Sequence, residues 1–310
     1  MKKYLVTGGA GFIGSNIVAE LVKRGEKVRV LDNMSTGLWG NIIPCMNKIE
    51  LMLGDIRDEV DVAKAVKGID YVIHQAALRS VVRSVDDPFT TNQVNVLGTL
   101  NVLNESKKAG VKRVVYASSS SAYGNTRKFP QRETDITAPI SPYGVSKLAA
   151  EHYCHTFAET FGLETVSLRY FNVFGPHQNP ESMYSAVIPA VIEKMLKGER
   201  PTVDWDGKQS RDFTYVGNVV AANLAACVVK GISGDMFNIA CGETTSILDI
   251  VKYLNEFLGT KIKPIFAPKR KGDVRKSYAD ITKMKYTLGI RDMVKFREGL
   301  KLTLDWSKNK

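Results

Sequence analysis

A glycine-rich segment near the N-terminus constrains the fold more than any other feature of this 310-residue sequence. The segment TGGAGFIG at residues 7–14 follows a short apolar run, Tyr4–Val6, and opens an amphipathic stretch, Asn16–Lys23. Glycine is required where a strand turns tightly into a helix and the backbone must approach a pyrophosphate, which the helix N-terminus then binds. The segment therefore predicts a dinucleotide-binding βαβ unit.

An acidic residue at the end of the second predicted strand indicates which dinucleotide is bound. Asp32 follows the apolar run Val28–Leu31 and lies 18 residues after Gly14. A carboxylate here accepts hydrogen bonds from the adenosine ribose and repels a 2′-phosphate, which favours NAD over NADP. Asp55 ends the third predicted strand and has two interpretations. It caps the next helix or contacts the adenine edge, and the second is favoured.

Strand and helix patterns alternate through the first half of the chain. Further predicted strands are Ile49–Leu53, Tyr71–His74, Arg113–Ala117 and Thr165–Arg169, and predicted helices are Val60–Val66 and Val94–Lys108. The alternation predicts an α/β fold with a Rossmann-type, doubly wound parallel sheet.

The later part of the chain has a different pattern, rich in Gly, Pro, Asp and Ser at residues 173–215. Further patterned segments are Ala186–Leu196, Val216–Val229, Met236–Ala240 and Ile247–Leu258. They predict a smaller C-terminal α/β substrate lobe. We expect an NAD-binding domain over residues 1–171 that also receives about 213–240, with residues 172–310 forming mainly the substrate-binding lobe.

Composition and cysteine spacing exclude several classes of protein. Hydrophobic residues make up 44% and charged residues 24% of the chain, as in soluble globular proteins. No apolar run approaches the roughly 18 residues of a membrane span, and no signal peptide is recognisable. The four cysteines form no CxxC, so no disulfide framework or metal site is expected. We expect a cytoplasmic protein without a membrane partner.

The net charge of +11 comes from the C-terminal region, because residues 261–310 contain 15 of the 43 Lys and Arg residues but only 5 of the 32 acidic ones. Such a segment can bind nucleic acid or anionic lipid. Alternatively, it is a solvated surface whose arginines serve a small anionic ligand. Aromatic residues are not interleaved with the charges as in single-strand binders, which favours the second interpretation and no nucleic-acid partner.

A Tyr-x-x-x-Lys pair indicates acid–base chemistry. Tyr143 and Lys147 lie in the segment SPYGVSK, and a helix is predicted to begin after Ser141 and to stop at Gly162. Positions i and i+4 share one helix face, so the ammonium can lower the pKa of the phenol from about 10. A serine run, Ser118–Ser121, follows a predicted strand upstream.

With these motifs, the chain resembles the extended short-chain dehydrogenase/reductases of the nucleotide-sugar epimerase/dehydratase group. It is most similar to the UDP-hexose 4-epimerases, particularly those acting on N-acetylated UDP-hexosamines. The resemblance covers nearly the whole chain. Its motifs are TGGAGFIGS at 7–15, HQAALRSVVRSVDDP at 74–88, Asn95, ASSSSAYG at 117–124, SPYGVSK at 141–147, RYFNVFGP at 169–176, SRDFTYV at 210–216 and KRKGDVRKSYAD at 269–280.

The resemblance implies NAD-dependent inversion at C4 of a UDP-hexose through a 4-keto intermediate. Tyr143 would be the base, Lys147 its electrostatic partner, and Ser119 the ligand of the sugar 4-oxygen. The implied cofactor-binding residues are Gly8, Gly11, Phe12, Ile13, Gly14, Asp32, Asn33, Ser35, Thr36, Gly37, Asp55, Ile56, Gln75, Ala76, Ala77, Asn95, Tyr143, Lys147, Tyr170 and Val173.

The resemblance also implies a set of substrate-binding residues. They are Arg79, Ser80, Ser119, Ser120, Ser121, Tyr143, Asn172, Ala186, Val187, Arg211, Arg270, Asp273 and Ser277. Arg211 and Arg270 would hold the diphosphate as forked donors, and Asp273 the uridine ribose. Ser277 matches a tyrosine of glucose-restricted epimerases and leaves room for a 2-acetamido group. This predicts UDP-GlcNAc and UDP-GalNAc as substrates, with UDP-Glc and UDP-Gal as further candidates.

Several alternatives stay open at this point. Ser120 and Ser121 stand where 4,6-dehydratases carry an Asp-Glu pair, which argues against dehydration. Arg79 and Val82 depart from the N-acetylhexosamine subgroup, which leaves the sugar open. The alternatives are a UDP-uronate 4-epimerase, decarboxylase or dehydratase, and a catalytically silent NAD-sensing or nucleic-acid-binding relative. The resemblance also implies a homodimer through the helices near 90–109 and 144–161.

Overall fold

The structure is a computed structural model and describes residues 1–179, 187–268 and 275–309. Its strands are β1 (Lys3–Thr7), β2 (Lys27–Asp32), β3 (Ile49–Leu53), β4 (Tyr71–His74), β5 (Arg113–Ser119), β6 (Glu164–Tyr170), β7 (Val173–Phe174), β8 (Thr202–Asp204), β9 (Ser210–Arg211), β10 (Thr214–Tyr215), β11 (Asp235–Ile239), β12 (Thr245–Ser246), β13 (Ile265–Ala267) and β14 (Lys276–Ser277). Its helices are α1 (Phe12–Lys23), α2 (Trp39–Ile42), α3 (Glu59–Val66), α4 (Val81–Asp86), α5 (Pro88–Asn92), α6 (Gly98–Lys108), α7 (Pro142–Phe161), α8 (Val187–Leu196), α9 (Val216–Val228), α10 (Ile247–Leu258), α11 (Thr282–Thr287) and α12 (Phe296–Lys308). None of these helices combines the length and apolar character needed to span a membrane.

Seven of the strands form one parallel sheet in the spatial order β3-β2-β1-β4-β5-β6-β11. The order runs outward in both directions from β1 and β4, so the winding of the chain reverses between these two strands. In open α/β sheets, ligands bind at such a reversal, beyond the carboxyl ends of the strands. The predicted doubly wound sheet is confirmed, and so are the strands predicted in the first half of the chain.

Helices cover both faces of the sheet, because its central strands are apolar on both sides. Helices α1 and α9 bury Leu21 and Val219 against one face. Helices α3, α6 and α7 cover the other face, with Leu103 and Phe157 in its core. Each such side chain contributes about 1.5–3 kcal/mol when it is fully buried. The two helical layers leave the carboxyl ends of the strands open.

A third apolar cluster joins α8, α10 and α12 and includes Phe174, Ile250 and Leu300. Helix α10 begins with a capping box, in which Ser246 and Asp249 each accept a hydrogen bond from the other's backbone N–H at 3.1 Å. This part of the chain is the predicted smaller lobe. Strand β11 lies in the large sheet, and the domain boundaries at 171, 213 and 240 stay a prediction.

The predicted helix Val94–Lys108 differs from the one observed. A π-helical turn at Gln93–Leu97 precedes α6, which begins at Gly98. Asn95 lies in this turn and is 1% exposed. Its side chain bonds the backbone N–H and C=O of Leu78 at 2.8 and 3.0 Å. The widened turn therefore places Asn95 against the distant backbone of Leu78. Hydrophobic periodicity within the helix does not reveal such a contact.

Candidate active site

A cavity of about 1030 Å³ lies at the carboxyl ends of the sheet strands and contains most of the predicted site residues in its wall. The predicted cofactor residues in the wall are Gly8, Gly11, Phe12, Ile13, Gly14, Asp32, Asn33, Ser35, Thr36, Asp55, Ile56, Gln75, Ala76, Ala77, Tyr143, Lys147, Tyr170 and Val173. The predicted substrate residues there are Arg79, Ser119, Ser120, Ser121, Tyr143, Asn172, Arg211 and Ser277.

The glycine loop brings its backbone close to the start of α1. Gly8 has a φ of +67°, and a Cβ there would lie 2.7 Å from the backbone nitrogen of Ala76. A Cβ on Gly14 would lie 2.1 Å from the carbonyl oxygen of Gly8. Gly11 is the N-cap residue of α1 and supplies no side-chain cap. The N–H groups of the first turn can therefore bind an anion, as pyrophosphate recognition requires.

Two backbone donors hold the Asp32 carboxylate in one orientation at the end of β2. Its two oxygens accept hydrogen bonds from the N–H groups of Ala10 and Met34, both at 2.9 Å. A Cβ on Gly37 would lie 2.9 Å from Asp32 Oδ1, so glycine permits this close approach. Asp32 is 7% exposed and lies in the cavity wall. Its charge is therefore fixed beside the glycine loop.

Asp55 is held by side chains rather than used as a helix cap. The Arg57 side chain donates to both its carboxylate oxygens at 3.0 and 2.7 Å, and Asn33 donates at 2.9 Å. These hydrogen bonds, above all the one from Arg57, lower the pKa of Asp55 to about 2. The cap interpretation is wrong, because Asp58 directly precedes α3 and accepts from the Val60 N–H. The contact with adenine stays a prediction.

Replacing Asp32 should change cofactor preference. Asp32→Ala removes a ribose acceptor and a charge that repels a 2′-phosphate. A hydrogen bond to a charged group contributes about 1.5–3 kcal/mol, so the preference for NAD over NADP should fall by roughly 10- to 100-fold. Calorimetric titration with both nucleotides measures it. Asp32→Asn is the control, because it keeps the shape of the side chain and removes its charge. Equal affinity of the wild type for NADP and NAD would contradict the role assigned to Asp32.

The helix that carries Tyr143 and Lys147 begins and ends where the sequence predicts. Ser141 is its N-cap residue and accepts a hydrogen bond from the Gly144 N–H at 3.1 Å. The helix ends at Gly162, which adopts a left-handed φ of 68°. Tyr143 and Lys147 are one turn apart, and both lie in the cavity wall.

Lys147 is buried beneath the end of β5, with 4% of its surface exposed. Its Nζ donates a 2.8 Å hydrogen bond to the carbonyl oxygen of Ala117 and lies 5.0 Å from the centre of the Tyr116 ring. Burial lowers the pKa of Lys147 to about 7. The hydrogen bond ties α7 to the strand that ends in Ser119.

Three influences act on the Tyr143 phenol. Burial raises its pKa, while a hydrogen bond with Ser119 and the positive charge of Arg79 lower it. Arg79 is exposed in the cavity wall. The sequence predicts a substrate-binding role for Arg79 and does not predict its effect on Tyr143. Burial has the largest effect, so the pKa of Tyr143 is raised overall, while Ser119 and Arg79 each favour the ionised form.

Ser119 ends β5 and is oriented by the turn that follows it. It accepts a hydrogen bond from the Ser121 N–H at 3.2 Å, and the two hydroxyl oxygens are 2.8 Å apart. A serine hydroxyl has two acceptor sites and one proton to donate. Because Ser121 donates to the Ser119 oxygen, the Ser119 hydroxyl proton is left to donate to Tyr143 or to a bound oxygen.

The predicted substrate residues Asn172, Arg211 and Ser277 come together from three segments. Strands β9 and β14 pair in parallel with Arg211 opposite Ser277. Asn172 has an unusual φ of 34°, and its amide donates to the carbonyl oxygen of Asp212 at 3.2 Å. The Asp212 N–H donates in turn to the Ser277 carbonyl oxygen at 2.9 Å. These hydrogen bonds and the pairing of β9 with β14 bring the three residues together in the cavity wall.

A few predicted residues lie elsewhere. Asn95, Gly37, Ser80 and Val187 are outside the cavity wall. Asn95 is buried between the Leu78 backbone and α7, and Ser80 is the N-cap residue of α4. Ala186, Arg270 and Asp273 lie outside the described residues, so their roles stay predictions.

His152, Cys154 and His155 are residue types that can bind a metal, and they lie close together in sequence on α7. Cys154 is buried against the sheet, whereas both histidines are exposed. Within the described ranges, no group of three or more His, Cys, Asp or Glu side chains could hold a metal ion.

Sequence reasoning missed five ionisable side chains of the cavity wall, which are Arg57, Arg83, Asp87, His177 and Lys276. His177 has a φ of 70°, its Nδ1 lies 2.8 Å from the Ser15 hydroxyl oxygen, and its ring centre lies 5.5 Å from that of Trp306 at an interplanar angle of 53°. It directly follows the RYFNVFGP motif, and that position is the signal that could have identified it. Arg83 and Asp87 lie within the motif at 74–88 and Lys276 within the motif at 269–280, which could have indicated them. Arg57 lies in none of the motifs, and charged residues are ordinarily solvated.

The doubly wound sheet, the glycine loop with its acidic partner, and the Ser–Tyr–Lys group in one cavity define a Rossmann-fold dinucleotide-binding protein. Residues 4–240 match the model of the NAD-dependent epimerase/dehydratase family, and the chain belongs to this family. It is 40% identical over 307 residues, 98% of each chain, to a putative UDP-glucose 4-epimerase of Methanocaldococcus jannaschii.

Two solved structures resemble the chain over nearly its whole length. One is a UDP-N-acetylglucosamine 4-epimerase of Methanobrevibacter ruminantium M1, with a TM-score of 0.94 and 37% identity, covering 99% of this chain and 98% of the other. The second is a UDP-glucose 4-epimerase of Thermotoga maritima with UDP-glucose, with a TM-score of 0.93 and 40% identity, covering 99% of each chain.

Proposed function

We propose that this chain is an NAD-dependent 4-epimerase of UDP-hexoses that acts on UDP-GlcNAc and UDP-GalNAc, and also on UDP-Glc and UDP-Gal. One observation carries the proposal. Tyr143, Ser119 and Lys147 line the same cavity as the glycine loop, while the positions of the dehydratase acid pair are occupied by Ser120 and Ser121. The relatives named UDP-glucose and UDP-N-acetylglucosamine 4-epimerases support the reaction class.

The residues of the cavity fit NAD. The cradle of Gly8, Gly11 and Gly14 excludes side chains where a pyrophosphate would approach, and the Asp32 carboxylate would accept from the adenosine ribose. Lys147 would hold the nicotinamide ribose. When bound, NAD would supply the oxidant for C4 of the sugar and, in its reduced form, the reductant.

The chain's own residues would handle the proton and the orientation of the sugar. Tyr143 would take the proton of the 4-hydroxyl, with Ser119 donating to the same oxygen. The charges of Arg79 and Lys147 would stabilise the tyrosinate. Arg211 would retain the diphosphate while the 4-keto sugar turns over, so that the opposite face of C4 is toward the cofactor for the reduction that restores the hydroxyl with inverted configuration. Tyr143 would return the proton to the 4-oxygen.

The position of Ser277 supports the choice of N-acetylated sugars. It lies in the cavity wall directly opposite Arg211 in the β9–β14 pair. A sugar whose diphosphate is held by Arg211 would therefore pass close to Ser277. A serine hydroxyl leaves space there that a tyrosine ring would fill.

Ser277→Tyr should reduce activity selectively on N-acetylated substrates. Overpacking a buried site costs about 1–3 kcal/mol, or roughly 5- to 150-fold in kcat/KM. The loss should fall on UDP-GlcNAc and UDP-GalNAc and largely spare UDP-Glc and UDP-Gal, whose 2-hydroxyl is shorter. Steady-state kinetics on both pairs measure it. Ser277→Ala keeps the space and serves as the control. An equal loss on both pairs would contradict the placement of the 2-substituent at Ser277.

A UDP-hexuronate 4-epimerase is the second candidate, and Arg79 and Arg83 favour it. Both residues lie in the cavity wall and are exposed as whole residues. Among the described residues, neither forms an ion pair with a carboxylate. A sugar that carries its own carboxylate would provide that partner.

Product analysis with separate sugars tests the proposal against its alternatives. The protein is incubated with NAD and with UDP-GlcNAc, UDP-Glc or UDP-GlcA, and each product is resolved by NMR. We expect UDP-GalNAc and UDP-Gal, with faster conversion of UDP-GlcNAc. Conversion of UDP-GlcA alone would select the second candidate. A product that has lost water or carbon dioxide, or no product from any sugar, would overturn the proposal.

The homodimer implied by the resemblance is also a proposal. The implied helices near 90–109 and 144–161 expose Leu97, Val145 and Phe161, and α5, which contacts α7, exposes Phe89. Phe89 is 83% exposed, which is costly for a large apolar side chain in water. A second copy covering these helices would bury them, and the mass in solution measured by light scattering would report it.

A further inference from the structure

A buried ion pair lies directly behind the cavity. Glu151 of α7 and Arg169 of β6 have side-chain exposures of only 2% and 3%. Arg169 donates to the carboxylate from Nη2 at 2.6 Å and from Nε at 3.0 Å. The Ser118 hydroxyl of β5 donates to the same carboxylate at 2.6 Å. Three elements of the fold therefore meet at one buried charge.

Two of these elements, α7 and β5, carry the Ser–Tyr–Lys group. Glu151 lies one helical turn after Lys147 and two turns after Tyr143 on α7. Ser118 lies between Ala117, whose carbonyl oxygen accepts from Lys147, and Ser119. The carboxylate thus joins the helix of the base to the strand of the serine, immediately beside both groups.

Stability alone is a weak reason for this arrangement. Burying two charges costs several kcal/mol per ion, and apolar replacements are often as stable. The pair is also imperfectly satisfied, because Arg169 Nη1 has no hydrogen-bond partner in the described part of the chain. The guanidinium instead lies 4.7 Å from the centre of the Tyr123 ring. The Glu151 carboxylate instead supplies directional hydrogen bonds. Those from Arg169 set the position of α7 relative to β6, and the one from Ser118 sets it relative to β5.

We propose that Glu151 is a positioning residue that holds Tyr143 and Lys147 in line with Ser119. This inference rests on the proposed function, in which these three groups act on one sugar oxygen. A misplacement of about 1 Å in such a constellation can reduce turnover on the order of 10²-fold. Supporting hydrogen bonds behind the reacting groups are what prevents it.

The fold contains a control pair on the same two strands. Arg113 and Glu164 face each other at the amino ends of β5 and β6, with Nη2 2.6 Å from the carboxylate. They lie five residues from Ser118 along β5, about 16 Å from the site. Glu164→Gln breaks an ion pair of β5 and β6 without touching the cavity. Phe157→Leu is a second control, which weakens the buried face of α7 beyond Glu151.

The test compares Glu151→Gln with both controls in unfolding free energy, NAD affinity and steady-state kinetics. We expect kcat to fall about 10- to 100-fold in Glu151→Gln, with NAD affinity and KM within about 3-fold of the wild type. Glu151→Asp should recover part of kcat. Phe157→Leu and Glu164→Gln should keep kcat within about 3-fold even where their loss of stability is as large. A kcat that follows stability across all variants, or stays unchanged in Glu151→Gln, would overturn the proposal.

Titration of Tyr143 separates positioning from simple electrostatics. Ultraviolet absorbance of tyrosinate, taken as wild type minus Tyr143→Phe, reports this phenol. Removing the negative charge of Glu151 and leaving Arg169 unpaired should lower the pKa of Tyr143. Loss of alignment with Ser119 and Lys147 should raise it, which is the result we expect in Glu151→Gln. A lowered or unchanged pKa would contradict the positioning role.

Two further results would also bear on the role of Glu151. If the wild type converts no UDP-sugar, the proposed function fails, and the Tyr143 titration alone decides whether Glu151 positions the phenol. If Glu151→Gln does not fold, Ser118→Ala replaces it, because it removes the link between the carboxylate and β5 and leaves the Glu151–Arg169 ion pair in place. The same fall in kcat and rise in the pKa of Tyr143 are then expected, and their absence would overturn the proposal.

Discussion

Tyr143→Phe should lower kcat by at least about 10²-fold, the low end of the contribution of general acid–base catalysis. The change removes the hydroxyl whose pKa is lowered by a hydrogen bond with Ser119 and by the charge of Arg79, and it leaves the ring in place. NAD affinity should stay close to that of the wild type, because the glycine loop and Asp32 are untouched. Steady-state turnover of UDP-GlcNAc and calorimetric titration with NAD measure the two quantities.

A second buried tyrosine provides the control for this experiment. Tyr123 is 1% exposed and donates its hydroxyl hydrogen bond to Asn238 at 2.7 Å, away from the cavity wall. Tyr123→Phe also removes one buried phenolic hydroxyl. It should therefore lower the free energy of unfolding as Tyr143→Phe does, but leave kcat unchanged. Near-wild-type turnover in Tyr143→Phe would remove Tyr143 from the mechanism and the proposed function with it.

Gly14→Ala should lower the affinity for NAD by roughly 100-fold. The added Cβ would lie 2.1 Å from the carbonyl oxygen of Gly8 and 2.9 Å from the Cα of Gly9. Both are backbone atoms of the nucleotide loop, which cannot yield without changing the β1–α1 turn. Overpacking of this kind costs about 1–3 kcal/mol, and contact with backbone places the effect at the upper end.

Gly40→Ala is the matched control for the glycine experiment. Gly40 lies in α2, and a Cβ there would meet nothing within 4 Å. Alanine is also the better helix former. Circular dichroism should show both variants folded, so that a difference in NAD affinity belongs to the loop. An affinity of Gly14→Ala within a few-fold of the wild type would contradict the role of the glycine cradle.

Much of the fold could be predicted from the sequence, because the signals are local. The β1–α1 loop, the alternation of strands and helices, and the limits of α7 at Ser141 and Gly162 depend on periodicity, capping and glycine conformation within a few residues. The wall of the cavity then follows from topology, since loops at the carboxyl ends of parallel strands meet at one edge.

The doubly wound fold, the glycine loop with Asp32 and the Ser–Tyr–Lys group could all be recognised in the amino-acid sequence. Their long-range partners became visible only in the three-dimensional structure. Asp55 is held by Arg57 and Asn33 and does not cap a helix. Glu151 of α7 pairs with Arg169 of β6. Such pairings depend on distances between elements that are far apart in the chain. Composition and periodicity carry no information about these distances, because they report only which face of an element is buried.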